Sequence, residues 1–167
     1  MFVYPQQPDH ADFHFTAADV GISGDAFVYD WKNKTGKKLA AGEAFTGSFG
    51  SSASTKASDP SWAYYIVAPI SGSGIAIIGD EGKFVSMGKQ RIEQITQSAK
   101  EQEITVNFAA DEHSCTLHGY APLAPLCVAQ EGNVSDQKFD TPTGHFTMTV
   151  APAEHQTRAV IKLSTLW

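Results

Sequence analysis

The chain has 167 residues, of which 42% are hydrophobic and 18% charged, and its formal net charge at pH 7 is -6. This length suits one domain, and the apolar content excludes an intrinsically disordered chain, which is poor in apolar residues and rich in charged ones. The acidic balance disfavours nucleic-acid binding and attraction to anionic membranes. The most basic cluster, Lys37-Lys38, is typical of a solvated loop. We therefore expect a single domain over residues 1–167 that binds neither nucleic acid nor a membrane.

The N-terminal sequence MFVYPQQPDHADFHF has no basic region followed by an apolar run, so it is not predicted to be a signal peptide. No window approaches the roughly 18 apolar residues that a bilayer span requires. These observations do not assign a compartment, and the parent protein could be cytoplasmic or exported. We expect residues 1–25 to form an N-terminal arm or edge strands.

Turn residues punctuate the chain, and most segments between them have the composition or alternation of β-strands. Residues 104–108 (ITVNF) and 146–150 (FTMTV) alternate apolar and polar side chains. Residues 62–70 (WAYYIVAPI) are apolar on both faces, which indicates a central strand. The pattern predicts an all-β fold, an antiparallel β-sandwich or jelly roll, with strands at residues 26–31, 62–70, 74–79, 104–108, 115–121, 146–150 and 159–163.

Two further segments do not show a clear strand pattern. Residues 89–100 (KQRIEQITQSAK) space Ile92 and Ile95 as a helix would, but they fit a strand that runs into a turn at least as well. Residues 47–60 (GSFGSSASTKASDP) are small and polar, which predicts a flexible surface loop.

A cluster of histidine and cysteine is the first candidate site. His113, Cys115 and His118 fall within six residues, and Cys127 follows nine residues later. On one strand, residues 113 and 115 share a face while 118 points the other way, and the spacing matches no standard zinc motif. We expect no metal site and no cofactor, and we expect two buried thiols rather than a bridge between Cys115 and Cys127.

Catalytic patterns are weak in this sequence. There is no G-x-S-x-G nucleophile motif. Carboxylate pairs could be drawn from Asp30, Asp80-Glu81 and Asp111-Glu112, but turns are ordinary places for acidic residues. We therefore assign no catalytic residue to the chain and expect it not to be an enzyme by itself.

Exposed aromatic rings can stack on sugars. Trp62 follows Asp59-Pro60-Ser61 at a strand entrance, and with Tyr64 and Tyr120 it is a candidate carbohydrate-binding residue. Trp31 shares a strand face with Phe27 and Tyr29, which favours a core position.

Three parts of the sequence resemble a known kind of domain. They are residues 27–39 (FVYDWKNKTGKKL), residues 64–92 (YYIVAPISGSGIAIIGDEGKFVSMGKQRI) and Gly119-Tyr120-Ala121-Pro122. They resemble the β-sandwich that follows the barrel in bacterial α-galactosidase-like glycoside hydrolases of the raffinose-synthase type. The resemblance covers roughly residues 26–163. It implies a C-terminal accessory domain whose partner is a catalytic barrel, in the same chain or a companion chain.

The same resemblance implies that Asp30, Trp31, Lys83 and Arg91 are structural or domain-docking residues. Lys83 and Arg91 are then expected to pair with Asp30 or Asp80. The alternatives are an independent carbohydrate-binding module and a small metal-dependent protein that uses the cluster at residues 113–118.

Overall fold

The computed structural model describes residues 1–3, 11–49, 63–85, 87–88 and 90–165. The chain divides into two compact units, an N-terminal unit (Met1–Pro69) and a C-terminal unit (Ile70–Trp167). Apart from one short 3-10 helix, all the regular elements described are strands, and every strand pairing is antiparallel. This confirms the all-β fold class, while the expectation of a single domain stays a prediction.

The N-terminal unit contains a four-stranded sheet of order β1-β6-β3-β4 and a two-stranded ribbon of β2 and β5. Aromatic rings join the ribbon to the sheet, with Phe13, Phe15 and Phe45 all within 6.0 Å of the ring centroid of Tyr65. The elements are β1 (Phe2–Val3), β2 (Ala11–Thr16), the 3-10 helix (Ala17–Val20), β3 (Ala26–Asp30), β4 (Thr35–Leu39), β5 (Ala44–Phe49) and β6 (Ala63–Pro69).

The C-terminal unit is an antiparallel β-sandwich of two four-stranded sheets, β12-β13-β10-β7 and β11-β14-β9-β8. Both sheets contribute to one core: Leu117 and Met148 come from the first, and Ile104 and Ile161 from the second. The strands are β7 (Ala76–Asp80), β8 (Ile92–Gln97), β9 (Glu101–Asn107), β10 (Cys115–Tyr120), β11 (Leu126–Glu131), β12 (Asn133–Asp140), β13 (His145–Ala151) and β14 (Arg158–Ser164).

The period-two patterns are confirmed where they were clearest. In β13, Phe146, Met148 and Val150 are buried while the residues between them are partly exposed. β6 lies between β1 and β3, as its two apolar faces predicted. Residues 92–97 form β8, so the alternative of a helix at residues 89–100 is wrong for this part. Residues 92–97 are a strand and not a helix because they pair with β9, and this pairing provides hydrogen-bond partners for their backbone groups.

The first three residues of the predicted flexible loop at residues 47–60 are not loop. Gly47–Phe49 belong to β5 and pair with residues 11–13 of β2, because their backbone groups complete that ladder. The rest of the predicted loop, from residue 50, lies outside the described residues.

Candidate functional site

A cleft of about 750 Å³ opens at one end of the β-sandwich in the C-terminal unit. The connection from β7 to β8 and the connection from β9 to β10 form its two walls. This volume is within the range of small-molecule and peptide sites. The lining residues are Lys83, Phe84, Val85, Gly88, Gln90, Arg91, Asn107, Phe108, Ala109 and Glu112.

Arg91 forms the floor of the cleft and is almost completely buried. Its Nε lies 2.8 Å from Oδ2 of Asp80, and its Nη2 is paired with Oε1 of Glu112. Its Nη1 donates a hydrogen bond of 2.7 Å to the carbonyl oxygen of Asn107. The guanidinium also lies 5.2 Å from the ring centroid of Phe108. A buried charge is costly unless it is paired and hydrogen-bonded. Arg91 is paired with two carboxylates and donates hydrogen bonds from Nη1 and Nη2, while its buried Nε makes none.

Glu112 links the floor of the cleft to its rim. Hydrogen bonding from Arg91 in the first place, then from the backbone N–H of Ala109, lowers the pKa of the Glu112 carboxyl to about 2. The ammonium of Lys83 lies 3.4 Å from Oε1 of the same carboxylate. Glu112 is therefore ionised at neutral pH and is a poor proton donor. Asp80 is buried beneath Arg91 and does not line the cleft, so the two carboxylates are placed for ion pairing and not for acid–base catalysis.

Cys115, close to this network, does not supply a nucleophile. Burial in the core, with a smaller contribution from the carboxylate of Asp80, raises the pKa of its thiol to about 12. Burial likewise raises the pKa of the Cys127 thiol to about 11. Neither cysteine is bridged, which confirms the predicted pair of buried thiols. A thiol that stays protonated at neutral pH reacts slowly as a nucleophile and as a metal ligand.

The rim of the cleft is apolar and exposed. Phe84, Val85 and Met87 are exposed by 42%, 67% and 38% respectively. These three side chains come from one short segment, and Lys83, which precedes them, is tied to Glu112. Large apolar side chains that cluster on a surface mark an interaction site more often than isolated ones do. Phe84 and Val85 line the cleft, and Met87 follows in the same segment. We call Phe84, Val85 and Met87 the apolar rim.

The structure brings together two of the residues for which the resemblance implied a structural or docking role. Lys83 and Arg91 both contact Glu112 at the cleft. The expected pair of Arg91 with Asp80 is confirmed, whereas the described ion pair of Lys83 is with Glu112. Glu112 was considered in the sequence only as a member of a carboxylate pair, and no local signal indicated its contact with an arginine 21 positions away.

Asp30 and Trp31 belong to the N-terminal unit. The Asp30 carboxylate accepts hydrogen bonds from the backbone N–H groups of Lys32 and Asn33, both at 3.0 Å, and so closes the turn after β3. Trp31 follows the end of β3 and is only partly buried, with the ammonium of Lys34 4.4 Å from its ring centroid. Its expected core position is therefore wrong, since the fully buried stretch of this segment ends at Tyr29.

Two of the predicted carbohydrate-binding aromatics are described, one in each unit. Tyr64 lies on β6, partly buried, with its ring centroid 6.3 Å from that of Trp31. Burial raises the pKa of the Tyr64 hydroxyl. Tyr120 lies on β10 of the C-terminal unit, opposite His145, and Trp62 lies outside the described residues.

The cluster of His113, Cys115 and His118 does not converge. Cys115 packs in the sandwich core, whereas the alternation of β10 directs His118 to the opposite face. His118 instead meets His145, with its Nδ1 3.2 Å from the Nε2 of that residue. Burial lowers the pKa of His145. Within the described ranges, no group of three or more His, Cys, Asp or Glu side chains is arranged to hold a metal ion.

Comparison with known proteins assigns no family to this fold and site. No family model matches the chain, and no curated protein matches its sequence. In the part of the chain that the structure describes, no helix has the length and apolar character needed to cross a membrane. Function must therefore be argued from the geometry of the cleft and from the resemblance of the motifs.

Proposed function

We propose that this chain is a non-catalytic accessory β-sandwich of a carbohydrate-active enzyme, and that its apolar rim docks on a separate catalytic barrel. The glycoside-hydrolase class comes from the resemblance of residues 26–163. The observation that carries the docking role is the exposure of Phe84, Val85 and Met87 beside a buried arginine whose charge is already paired with two carboxylates.

The energetics favour burial of the rim by a partner protein. Burying apolar surface is favourable by about 25 cal/mol of free energy for each Å² removed from water. Much of the surface of Val85 and Phe84 is exposed to solvent. The charge of Arg91 beneath them is already paired with Asp80 and Glu112. Docking would therefore cover the apolar side chains without stranding the charge beneath them.

The chemistry of the cleft favours a non-catalytic role for this chain over a catalytic one. Glu112 holds its charge well below neutral pH, and Cys115 keeps its proton well above it. A general acid or base works best with a pKa near the operating pH, and neither group meets this condition. The partner expected at the rim is an apolar protein surface on the catalytic barrel.

The test uses a single charge placed on the rim. Val85→Asp is compared with Val128→Asp, the same change at an exposed valine of β11, and both proteins are titrated against the catalytic barrel encoded with this chain, in the same or a companion reading frame. We expect Val85→Asp to weaken the complex about tenfold or more, since each factor of ten is about 1.4 kcal/mol, and Val128→Asp to bind like the parent chain. Equal binding by both variants, or no complex with the parent chain, would contradict the docking role.

A second measurement separates the accessory role from an enzymatic one. The purified chain is incubated with p-nitrophenyl α-galactoside, with and without the catalytic barrel. We expect hydrolysis only when the barrel is present. Turnover by the 167-residue chain alone would overturn the proposal.

A further inference from the structure

Two imidazoles meet on one face of the sheet β12-β13-β10-β7. His118 lies on β10 directly opposite Thr147 of β13, and Tyr120 lies opposite His145. His118 and His145 are therefore diagonal neighbours across two adjacent strands, close enough for long side chains to touch. Their rings are nearly perpendicular, at 85°, with centroids 5.4 Å apart.

We propose that His118 and His145 bind one divalent transition-metal ion, of the zinc or copper type, through Nδ1 of His118 and Nε2 of His145. These two nitrogens are 3.2 Å apart. Two imidazole nitrogens that each bind a tetrahedral zinc at about 2.0–2.1 Å are separated by about 3.3 Å. The separation of the two nitrogens therefore matches the separation that a shared ion requires, and binding needs the two rings to turn so that both lone pairs point at it.

The same two nitrogens can also share a hydrogen bond, and the two states are related by a proton shift within one ring. In the metal-free pair, one facing nitrogen carries the proton and the other accepts it. On binding, that proton moves to the other nitrogen of its own ring, so both facing nitrogens present a lone pair. Both imidazoles remain neutral, and no net proton is released.

Burial of His145 by itself disfavours positive charge at this position, and the nearby carboxylates of Glu81 and Asp140 offset part of that cost. Asp140 is opposite His145 in the pairing of β12 with β13. His118 is buried and His145 is partly exposed, so an ion would enter from the side of His145. Since the two histidines are the only ligands proposed from the protein, water completes the coordination.

This site differs from the candidate metal site that was considered from the sequence. The local cluster of His113, Cys115 and His118 contributes only His118, and the second ligand comes from residue 145, 27 positions away. Zinc and copper accept imidazole readily. The site is also independent of the apolar rim, because it uses none of the residues that line the cleft.

The first experiment titrates the full chain with zinc chloride at pH 7.5 by isothermal calorimetry. We expect one equivalent to bind, and His145→Gln to weaken binding about tenfold or more. The matched control is His113→Gln, the same change at an exposed histidine, which is expected to bind zinc like the parent chain. Absence of stoichiometric binding by the parent chain, or equal weakening by both substitutions, would overturn the proposal.

A second experiment does not depend on the folding of a variant. One equivalent of copper(II) is added to the parent chain, and the electron paramagnetic resonance spectrum is examined for coupling to ligand nitrogens. Coupling to two imidazole nitrogens is the expected result. Coupling to none, or to backbone amide nitrogens in place of imidazole, would refute the site.

Discussion

Arg91 and Asp80 form an ion pair in which Nε and Oδ2 are 2.8 Å apart and both side chains are nearly buried, with exposed fractions of 8% and 4%. Asp80 ends β7 and Arg91 immediately precedes β8, so this pair fixes the two ends of the segment that carries the apolar rim. Asp80 also accepts a hydrogen bond of 2.9 Å from the backbone N–H of Gly82 through its other oxygen. The position of the rim therefore depends on a buried charge pair.

Removing the cation of this pair should destabilise the C-terminal unit strongly. Arg91→Met leaves the Asp80 carboxylate buried without its counter-charge, which typically costs about 3–5 kcal/mol. Urea unfolding followed by circular dichroism measures the loss. Arg158→Met is the control, because its ion pair with Glu131 is solvent-exposed and should contribute less than about 1 kcal/mol. Equal losses in the two variants would show that the Arg91 network is not a structural anchor.

Acid should weaken the same network through Glu112. The folded-state pKa of Glu112 is lowered to about 2 from 4.5, so the unfolded chain binds the proton first as the pH falls. The stabilisation is complete above pH 4.5 and is lost between that pH and about pH 2. The free energy of unfolding of the parent chain should exceed that of Glu112→Gln by on the order of 2 kcal/mol at pH 7, after allowance for solvent screening.

Unfolding free energies at pH 7, 5, 3.5 and 2.5 check this dependence. The difference between the parent chain and Glu112→Gln should shrink steadily below pH 4.5. Glu154→Gln, at a fully solvated side chain, should show no such trend. A difference that is constant with pH would mean that the Glu112 carboxylate is not stabilised by its partners.

Gly119 should not tolerate a side chain. A Cβ at this position on β10 would overlap the carbonyl oxygen of Ala76 and the ring of Phe146. Gly119→Ala should therefore destabilise the sandwich by about 1–3 kcal/mol, as overpacked core substitutions do. Gly24→Ala has open space around its Cβ and should change stability by less than about 0.5 kcal/mol. Thermal unfolding of the two variants tests the prediction, and a stable Gly119→Ala protein would contradict the close approach of β7 and β10.

The two thiols should resist alkylation in the native protein. Burial raises the pKa values of Cys115 and Cys127 to about 12 and about 11, and only the thiolate reacts. Iodoacetamide labelling at pH 8, followed by mass spectrometry, should be about a hundredfold or more slower than in 6–8 M urea, a range that unfolds small domains. Native labelling as fast as that of free glutathione would show that these sulfurs are accessible.

The strands whose own side chains alternate or are uniformly apolar were predictable from the sequence. β9, β13 and β14 were predicted because each buries one face in the sandwich core. β11 and β12 were not predicted, because they lie at the edges of their sheets and most of their side chains are exposed. An edge strand with a mostly exposed sequence is held by ladder hydrogen bonds to its neighbour, and these leave little trace in its composition.

Two properties of this protein were determined by the sequence itself: an all-β fold and buried, unbridged cysteines. Both follow from local composition and from the alternation of side chains along a strand, which is a property of neighbouring residues. The tertiary structure alone decided that Asp80, Arg91 and Glu112 form one network and that His118 meets His145. These contacts join residues 11 to 27 positions apart. Strand pairing and the loops between the strands, and not local pattern, determine which of them touch.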